Sequence, residues 1–357
     1  MRRFVDLHVH STASDGCLSP AEVVALAEGR KLAAVALTDH DTTAGLAEAR
    51  AAATQFPSLR FIAGIEVSAA FPGGTLHILG LGIDENSAAL GRLAAELRAA
   101  RAERNPKIIA KLQALGLAID MDDVAVVRGK KVRDENVRGG EAHHDKAPSV
   151  RTGMVLSPPA NTHTIPHLTV GASSGEGAGC HGRGVGGHAD TTNAIPHLTV
   201  GAEPPVLGRL HIAQALLAKG YVRSLDEAFV KYIGRRGPAY VEKDKLPASA
   251  VIAAIHAAGG LAALAHPPQL RYANLAQLER IVRDLADSGL DAIEAYHSDH
   301  SPAQTRGFLH LARQLNLGVT GGSDFHGPAK PTVHLGRPKV SITMIAGIVA
   351  ERLLGNV

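Results

Sequence analysis

The stretch Phe4-Val5-Asp6-Leu7-His8-Val9-His10 constrains this chain more than any other. A short apolar run reads as a buried strand, and its end carries two histidines at i and i+2. On a strand alternate side chains share one face, so His8 and His10 point the same way and Val9 points the other. Two imidazoles converging at a strand's carboxyl end, with Asp15 just beyond, are a natural beginning for a metal site. An HxH pair alone is equally a pair of surface histidines in a turn, so the remainder of the chain has to decide.

That remainder repeats the arrangement. Ser19 is a good N-cap and Pro20 suits a first helical position, which predicts a helix to about Arg30. Residues 32–37 read as a buried strand ending in Thr38-Asp39-His40-Asp41. A helix over about residues 45–55 precedes a strand over 60–65 that delivers Glu66, and 75–81 is a further strand carrying His77. This is α/β patterning, with polar residues gathered at strand ends, where the active sites of barrels and open sheets form. The rhythm returns late in the chain. A helix over 247–258 leads to a strand ending in His266-Pro267, and a helix over 274–288 to a strand with Glu294 and Tyr296-His297. A last helix over 304–316 precedes the strand 318–320 and Gly321-Gly322-Ser323-Asp324-Phe325-His326-Gly327.

Between these halves the pattern is helical, with helices expected over 92–104, 105–115, 210–219 and 224–233. Residues 128–205 break it: they are rich in Gly, His, Thr and Pro and keep no period. Within them Ile165-Pro166-His167-Leu168-Thr169-Val170-Gly171-Ala172 recurs as Ile195-Pro196-His197-Leu198-Thr199-Val200-Gly201-Ala202. Two copies are too few for a solenoid, and the stretch reads as a disordered, low-complexity insertion whose histidines form at most a weak metal-binding tract.

Composition narrows the chemistry. Nineteen histidines stand beside no tryptophan and seven phenylalanines, which points to metal rather than to a stacking platform. A net charge of +3 is too slight to argue for nucleic acid by itself. Cys17 and Cys180 lie in unlike contexts, so a disulfide framework is not expected and a cytoplasmic setting is. Neither a membrane-spanning run nor a signal peptide is expected.

The polar residues at strand ends are His8, His10, Asp15, His40, Glu66, His77, His266, Asp324 and His326, with His297 close behind. Nitrogen and oxygen ligands without a thiolate, too many for one ion, suit two or three divalent metals bridged by carboxylate and water. Imidazole with carboxylate favours manganese, zinc or iron(II). Closely spaced ions clamp a phosphate, activate a water and steady the leaving oxygen. Arg271, in the loop after His266, is placed to hold a phosphate bidentately, and His297 to contact a phosphate or protonate the leaving oxygen. Asp39 is expected to orient a ligand histidine.

His8-x-His10, Thr38-Asp39-His40-Asp41, Gly64-Ile65-Glu66, Leu76-His77, Ala265-His266-Pro267 and Gly322-Ser323-Asp324-Phe325-His326 resemble the ordered motifs of the PHP (polymerase and histidinol phosphatase) family. More narrowly they resemble its bacterial phosphoesterases acting on nucleoside 3′,5′-bisphosphates and RNA 5′ ends. The resemblance covers about residues 1–127 and 205–357. It implies an α/β fold, a distorted (β/α)7 barrel from 1–86 and 245–357, with a helical cap inserted over 87–244. It implies three divalent ions, most often manganese. The first takes His8, His10, Glu66 and Asp324, the second Glu66, His77 and His266, and the third Asp15, His40 and His326. Arg209 and His211 match a cap motif, usually Gly-Arg-Pro-His, that reaches toward substrate; Leu210 stands where that motif has proline. The implied activity is metal-dependent hydrolysis of the 3′-phosphate of a nucleoside bisphosphate (pAp to AMP), with removal of 5′ nucleotides from short RNA beside it. Histidinol phosphate phosphatase and a non-catalytic metal-binding module are the alternatives. A nucleotide or short oligoribonucleotide is the expected partner, with no membrane and no stable protein partner.

Overall fold

The structure is a computed structural model that describes residues 3–129 and 206–355; the glycine- and histidine-rich stretch, its repeated motif and its histidines lie outside the described residues. In chain order the elements are β1 (Phe4–Val9), α1 (Pro20–Gly29), β2 (Ala34–Leu37), α2 (Leu46–Ala53), β3 (Arg60–Ala69) and β4 (Leu76–Leu81). Then come α3 (Ala88–Ala114), α4 (Met121–Gly129), α5 (Arg209–Ala218), α6 (Leu225–Ala228) and α7 (Ala248–Ala257). The chain continues through β5 (Leu261–Leu264), α8 (Leu275–Asp287), β6 (Ala292–His297), α9 (Pro302–Gln314), β7 (Gly318–Gly322) and β8 (Val340–Ser341).

The strands form one sheet in the order β7-β6-β5-β4-β3-β2-β1-β8. It curls into a nearly closed barrel because β1 has a different neighbour at each end. At its start Phe4 and Val5 pair antiparallel with β8. At its finish Val9 bridges Phe325, just past β7, with His10 N donating to Phe325 O (2.9 Å) and Asp324 N to His8 O (2.9 Å). The close approach requires Gly322, where a Cβ would lie 2.4 Å from the Cβ of His8. The seam therefore closes where the histidines are.

Two departures from simple α/β winding matter for the site. β4 runs antiparallel to both β3 and β5. His77 thus stands at the amino end of its strand, and reaches the same rim as the others only because β4 is inverted. Glu66, expected at a strand end, lies inside β3, which runs on to Ala69. A parallel bridge between His40 and Glu66 brings the end of the β2 segment alongside it.

Apolar packing explains the layers. Val23, Val24, Ile252, Ile255, Leu278, Val282 and Phe308 from the outer helices bury against Val35, Leu37, Ile65, Val67 and Ile78 of the strands. A second cluster sets Val5, Leu7, Ala36, Leu79, Leu81 and Ala263 with Ile345, Val349 and Leu353. A third lies among the helices, joining Ile108, Ile109, Leu112, Val124, Ile212 and Leu216. α3 spans two of these clusters: Leu90, Leu93 and Leu97 belong to the first and Ile108, Ile109 and Leu112 to the third. This is why one helix runs through Pro106 where two were expected. Proline deletes one backbone donor, but packing on either side outweighs the break. The helix expected over 224–233 is the single turn α6 followed by a π-helical turn, Phe229–Ile233.

Candidate active site

The site is built around one carboxylate. Glu66 is fully buried. Its Oε2 lies 3.4 Å from His8 Nε2, 3.2 Å from His10 Nε2 and 3.0 Å from His40 Nδ1. Its Oε1 lies 2.7 Å from His77 Nδ1 and 2.8 Å from His266 Nε2. Burial works against its ionisation, yet the surrounding imidazoles, His40 foremost, hold it well below the usual carboxylate range. Asp324 faces the same group from just past β7, with Oδ1 3.5 Å from His8 Nε2 and 3.2 Å from His10 Nε2. Lys330 Nζ donates to its other oxygen at 2.8 Å. Beside them Asp15 has one oxygen 3.3 Å from His326 Nε2 and the other 3.8 Å from His40 Nε2. All nine expected metal-ligating residues are therefore in one constellation.

The donor atoms fit divalent metals. His8 Nε2, both ring nitrogens of His10, His40 Nδ1 and Glu66 Oε2 are buried without a hydrogen-bond partner of proper geometry. Polar atoms so placed are expensive to bury unless they meet a partner, which for imidazole nitrogens and a carboxylate oxygen facing one another a cation supplies. The ligand atoms group into overlapping sets, His8–His10–Glu66–Asp324, His10–Asp15–His40–His326 and His40–Glu66–His77. Burial keeps His77 down at about 4, so its ring stays neutral and able to ligate at ordinary pH.

Glu294 was missed by sequence reasoning. It is fully buried, accepts from His8 Nδ1 at 3.0 Å and from the backbone of His266 at 2.7 Å, and so fixes the His8 ring. In a regular strand Glu294 and His297, at i and i+3, face opposite ways. A register shift between Glu294 and Tyr296 brings both to the same place. Asp39 instead accepts from the backbone and hydroxyl of both Ser11 and Ser14, because the turn between His10 and Asp15 needs acceptors for its donors. Its role is to shape the loop that presents Asp15.

The other expected contacts separate. His297 is buried, with Nε2 3.8 Å from Asp324; Asp299 N donates to its Nδ1 at 3.1 Å, which puts the ring proton of the neutral form on Nε2. Arg271 is exposed on the wall of a cavity of about 800 Å³ that opens from Asp15, His40 and His77. Arg209 lines the same cavity, its guanidinium 6.0 Å from the Phe229 ring and 5.4 Å from that of Tyr240. His211 does not line it. It is buried and accepts from Gly208 N at 3.0 Å, closing the first turn of α5, which leaves its expected reach toward substrate unsupported.

The cavity wall carries a surplus of buried positive charge that the sequence did not disclose. Arg101, on α3, and Lys243 both donate to the buried carboxylate of Asp41. Among the described residues Arg104, also buried, has only the amide oxygen of Asn105. Burial, with Arg101 and Arg209 beside it, pulls Arg104 down to about 9, and burial pulls Lys243 down to about 7 despite Asp41. One carboxylate among three cations leaves a pocket that favours an anion.

A barrel that closes on a buried histidine–carboxylate cluster, beside a cationic cavity, defines a metal-dependent hydrolase of phosphoric esters. Residues 6–113 match the PHP domain, and the chain is similar to phosphoesterases that carry it. It is 29% identical over 326 residues to the 3′,5′-nucleoside bisphosphate phosphatase of Chromobacterium violaceum, covering 91% of this chain and 88% of that one. It is 29% identical over 334 residues to the 5′-3′ exoribonuclease Rnm of Escherichia coli K12, covering 93% and 88%. A solved structure from Bifidobacterium adolescentis, described as a candidate metal-dependent phosphoesterase, superposes with a TM-score of 0.69 at 26% identity, covering 99% of this chain and 96% of that one. Among the described residues no helix is long and apolar enough to cross a membrane.

Proposed function

We propose that the protein hydrolyses the 3′-phosphate of nucleoside 3′,5′-bisphosphates, releasing the 5′-nucleotide and phosphate. The observation that carries this reading is the pairing of the ligand cluster with the cationic wall formed by Arg101, Arg104 and Lys243 in one cavity. A substrate with one phosphate, such as histidinol phosphate, would leave those cations unused. A nucleoside bisphosphate engages both regions, and so does the 5′ end of a short RNA, where the scissile ester again lies on the 3′ oxygen of a 5′-phosphorylated nucleoside. The names of the Chromobacterium and Escherichia relatives support both forms of the substrate. The reading places the protein in the cytoplasm, acting on nucleotides without a stable protein partner.

In this reading His8, His10, Glu66 and Asp324 hold one ion, Glu66, His77 and His266 a second, and Asp15, His40 and His326 a third, with manganese the favoured metal. Bound divalent ions supply Lewis acidity at the scissile phosphate and lower the pKa of a water. Glu66 links the histidines of the first two sets through its two oxygens, and Glu294 fixes the His8 ring through Nδ1. His297 offers its Nε2 proton to the leaving oxygen, and Arg271 closes on phosphate oxygens from the cavity wall. The helices of 88–129 and 209–233 act as a cap that confines the substrate. Phosphate release from pAp, 5′-AMP, 3′-AMP and histidinol phosphate by the manganese-loaded protein tests the reading. Preferential turnover of pAp, abolished in Asp324→Asn, is expected; turnover of histidinol phosphate alone would overturn it.

A further inference from the structure

We infer that Asp41 is a positioning residue that holds the groups recognising the substrate's non-scissile phosphate at a fixed distance from the ligand cluster. The inference rests on the bisphosphate reading above and concerns how the cavity measures its substrate.

Asp41 directly follows His40, is fully buried, and takes a left-handed backbone with φ of +55°. Both ends of its residue are committed. Its backbone N donates to Glu66 O at 2.9 Å, which ties it to the centre of the cluster. Its Oδ1 accepts from Ser68 N at 3.1 Å, so the carboxylate is anchored on β3. Oδ2 is left for the helical region, accepting from Arg101 Nε and Nη2 at 2.7 and 2.6 Å and from Lys243 Nζ at 2.7 Å. Arg101 lies 60 positions from Asp41 and Lys243 lies 202, on opposite sides of the intervening helices.

One carboxylate cannot neutralise two cations. Among the described residues Arg101 keeps its Nη1 protons and Lys243 two further N–H groups for another acceptor. Both side chains line the cavity. The pair therefore presents net positive charge in a fixed geometry, and the dipeptide His40–Asp41 sets its separation from the scissile centre. A fixed separation between two anion-binding regions selects a substrate with two phosphates at matching spacing over one with a single phosphate. A merely structural ion pair would affect all substrates alike.

The test compares pAp with 3′-AMP, which lacks the second phosphate, in wild type and Asp41→Asn, with metal content measured on both proteins. The expected result is that the preference for pAp in kcat/KM falls by about tenfold or more, chiefly through a raised KM, while bound metal is retained. If Asp41→Asn does not fold, Asp41→Glu, which keeps the charge but moves the carboxylate that holds Arg101 and Lys243, is expected to lower the same preference with bound metal retained. An unchanged preference overturns the role, whatever the absolute rates, as does a parallel loss on both substrates with loss of metal. A wild type that does not favour pAp over 3′-AMP would instead defeat the bisphosphate reading, and this role with it.

Discussion

Lys243 carries opposite consequences for binding and for stability. Its burial pulls the ammonium from an ordinary 10.5 down to about 7, with Asp41 opposing and Arg101 and Arg104 reinforcing the shift. In the free enzyme the charge useful for an anion is present below about pH 7 and lost above it. The kcat/KM for pAp should therefore decline as pH rises through 7, a limb that Lys243→Met should flatten. Stability moves the other way. Between about 7 and 10.5 the unfolded chain binds a proton at this lysine that the folded chain does not, so this group's contribution to stability rises with pH across that window. Denaturant titrations at pH 6.5 and 9, wild type against Lys243→Met, check the sign. At this same scale the ligand residues were legible because chemistry and position coincide: imidazoles and carboxylates that recur at strand ends are suited to metal and to little else. Glu294, Asp41 and Lys243 were not legible. Each acts through a partner far away in the chain, and no local spacing marks a carboxylate as the one that will meet His8 or Arg101.

Among the elements, β1 and β7 show what a sequence pattern can and cannot carry. The i, i+2 rule placed His8 and His10 together, and their side chains do converge. It could not show that β1 slips register between Asp6 and Val9, or that β6 does so near Glu294, since bulges leave no reliable residue signature. Nor did it reveal the inversion of β4, because an isolated strand reads the same in either direction. The barrel was legible; the direction of one of its staves was not. The seam makes its own prediction. In Gly322→Ala the new methyl would meet His8 N at 2.5 Å as well as its Cβ, and backbone cannot yield as a flexible side chain does. We expect a loss of about 1–3 kcal/mol or more, read as a lowered unfolding midpoint, together with reduced metal content, since the strain falls on a ligand's own strand.

For the molecule as a whole, the cluster couples metal to folding. Glu66, His8 and His10 are almost wholly removed from solvent and draw together parts of the chain from both halves of the barrel. Ions bound there favour the folded chain over the unfolded one. Removing metal with a chelator should lower the unfolding temperature, and adding manganese back should restore it in a concentration-dependent way; at a hundredfold excess over Kd the gain is about 2.7 kcal/mol. Thermal scans of chelated and reloaded protein measure this directly.

The hydrogen bond from Ser323 N to Asp6 Oδ1 joins residues 317 positions apart, and Asp324 N reaches back to His8 in the same way. During translation a chain that has grown through α9 already holds His8, His10, Glu66 and His266, but lacks the segment that seals β1 and the aspartate facing it. Contacts of such separation form late and slowly. Until residues 322–326 dock on β1, His8 and His10 lack the aspartate that faces them, so closing the barrel and completing the ligand cluster are one event.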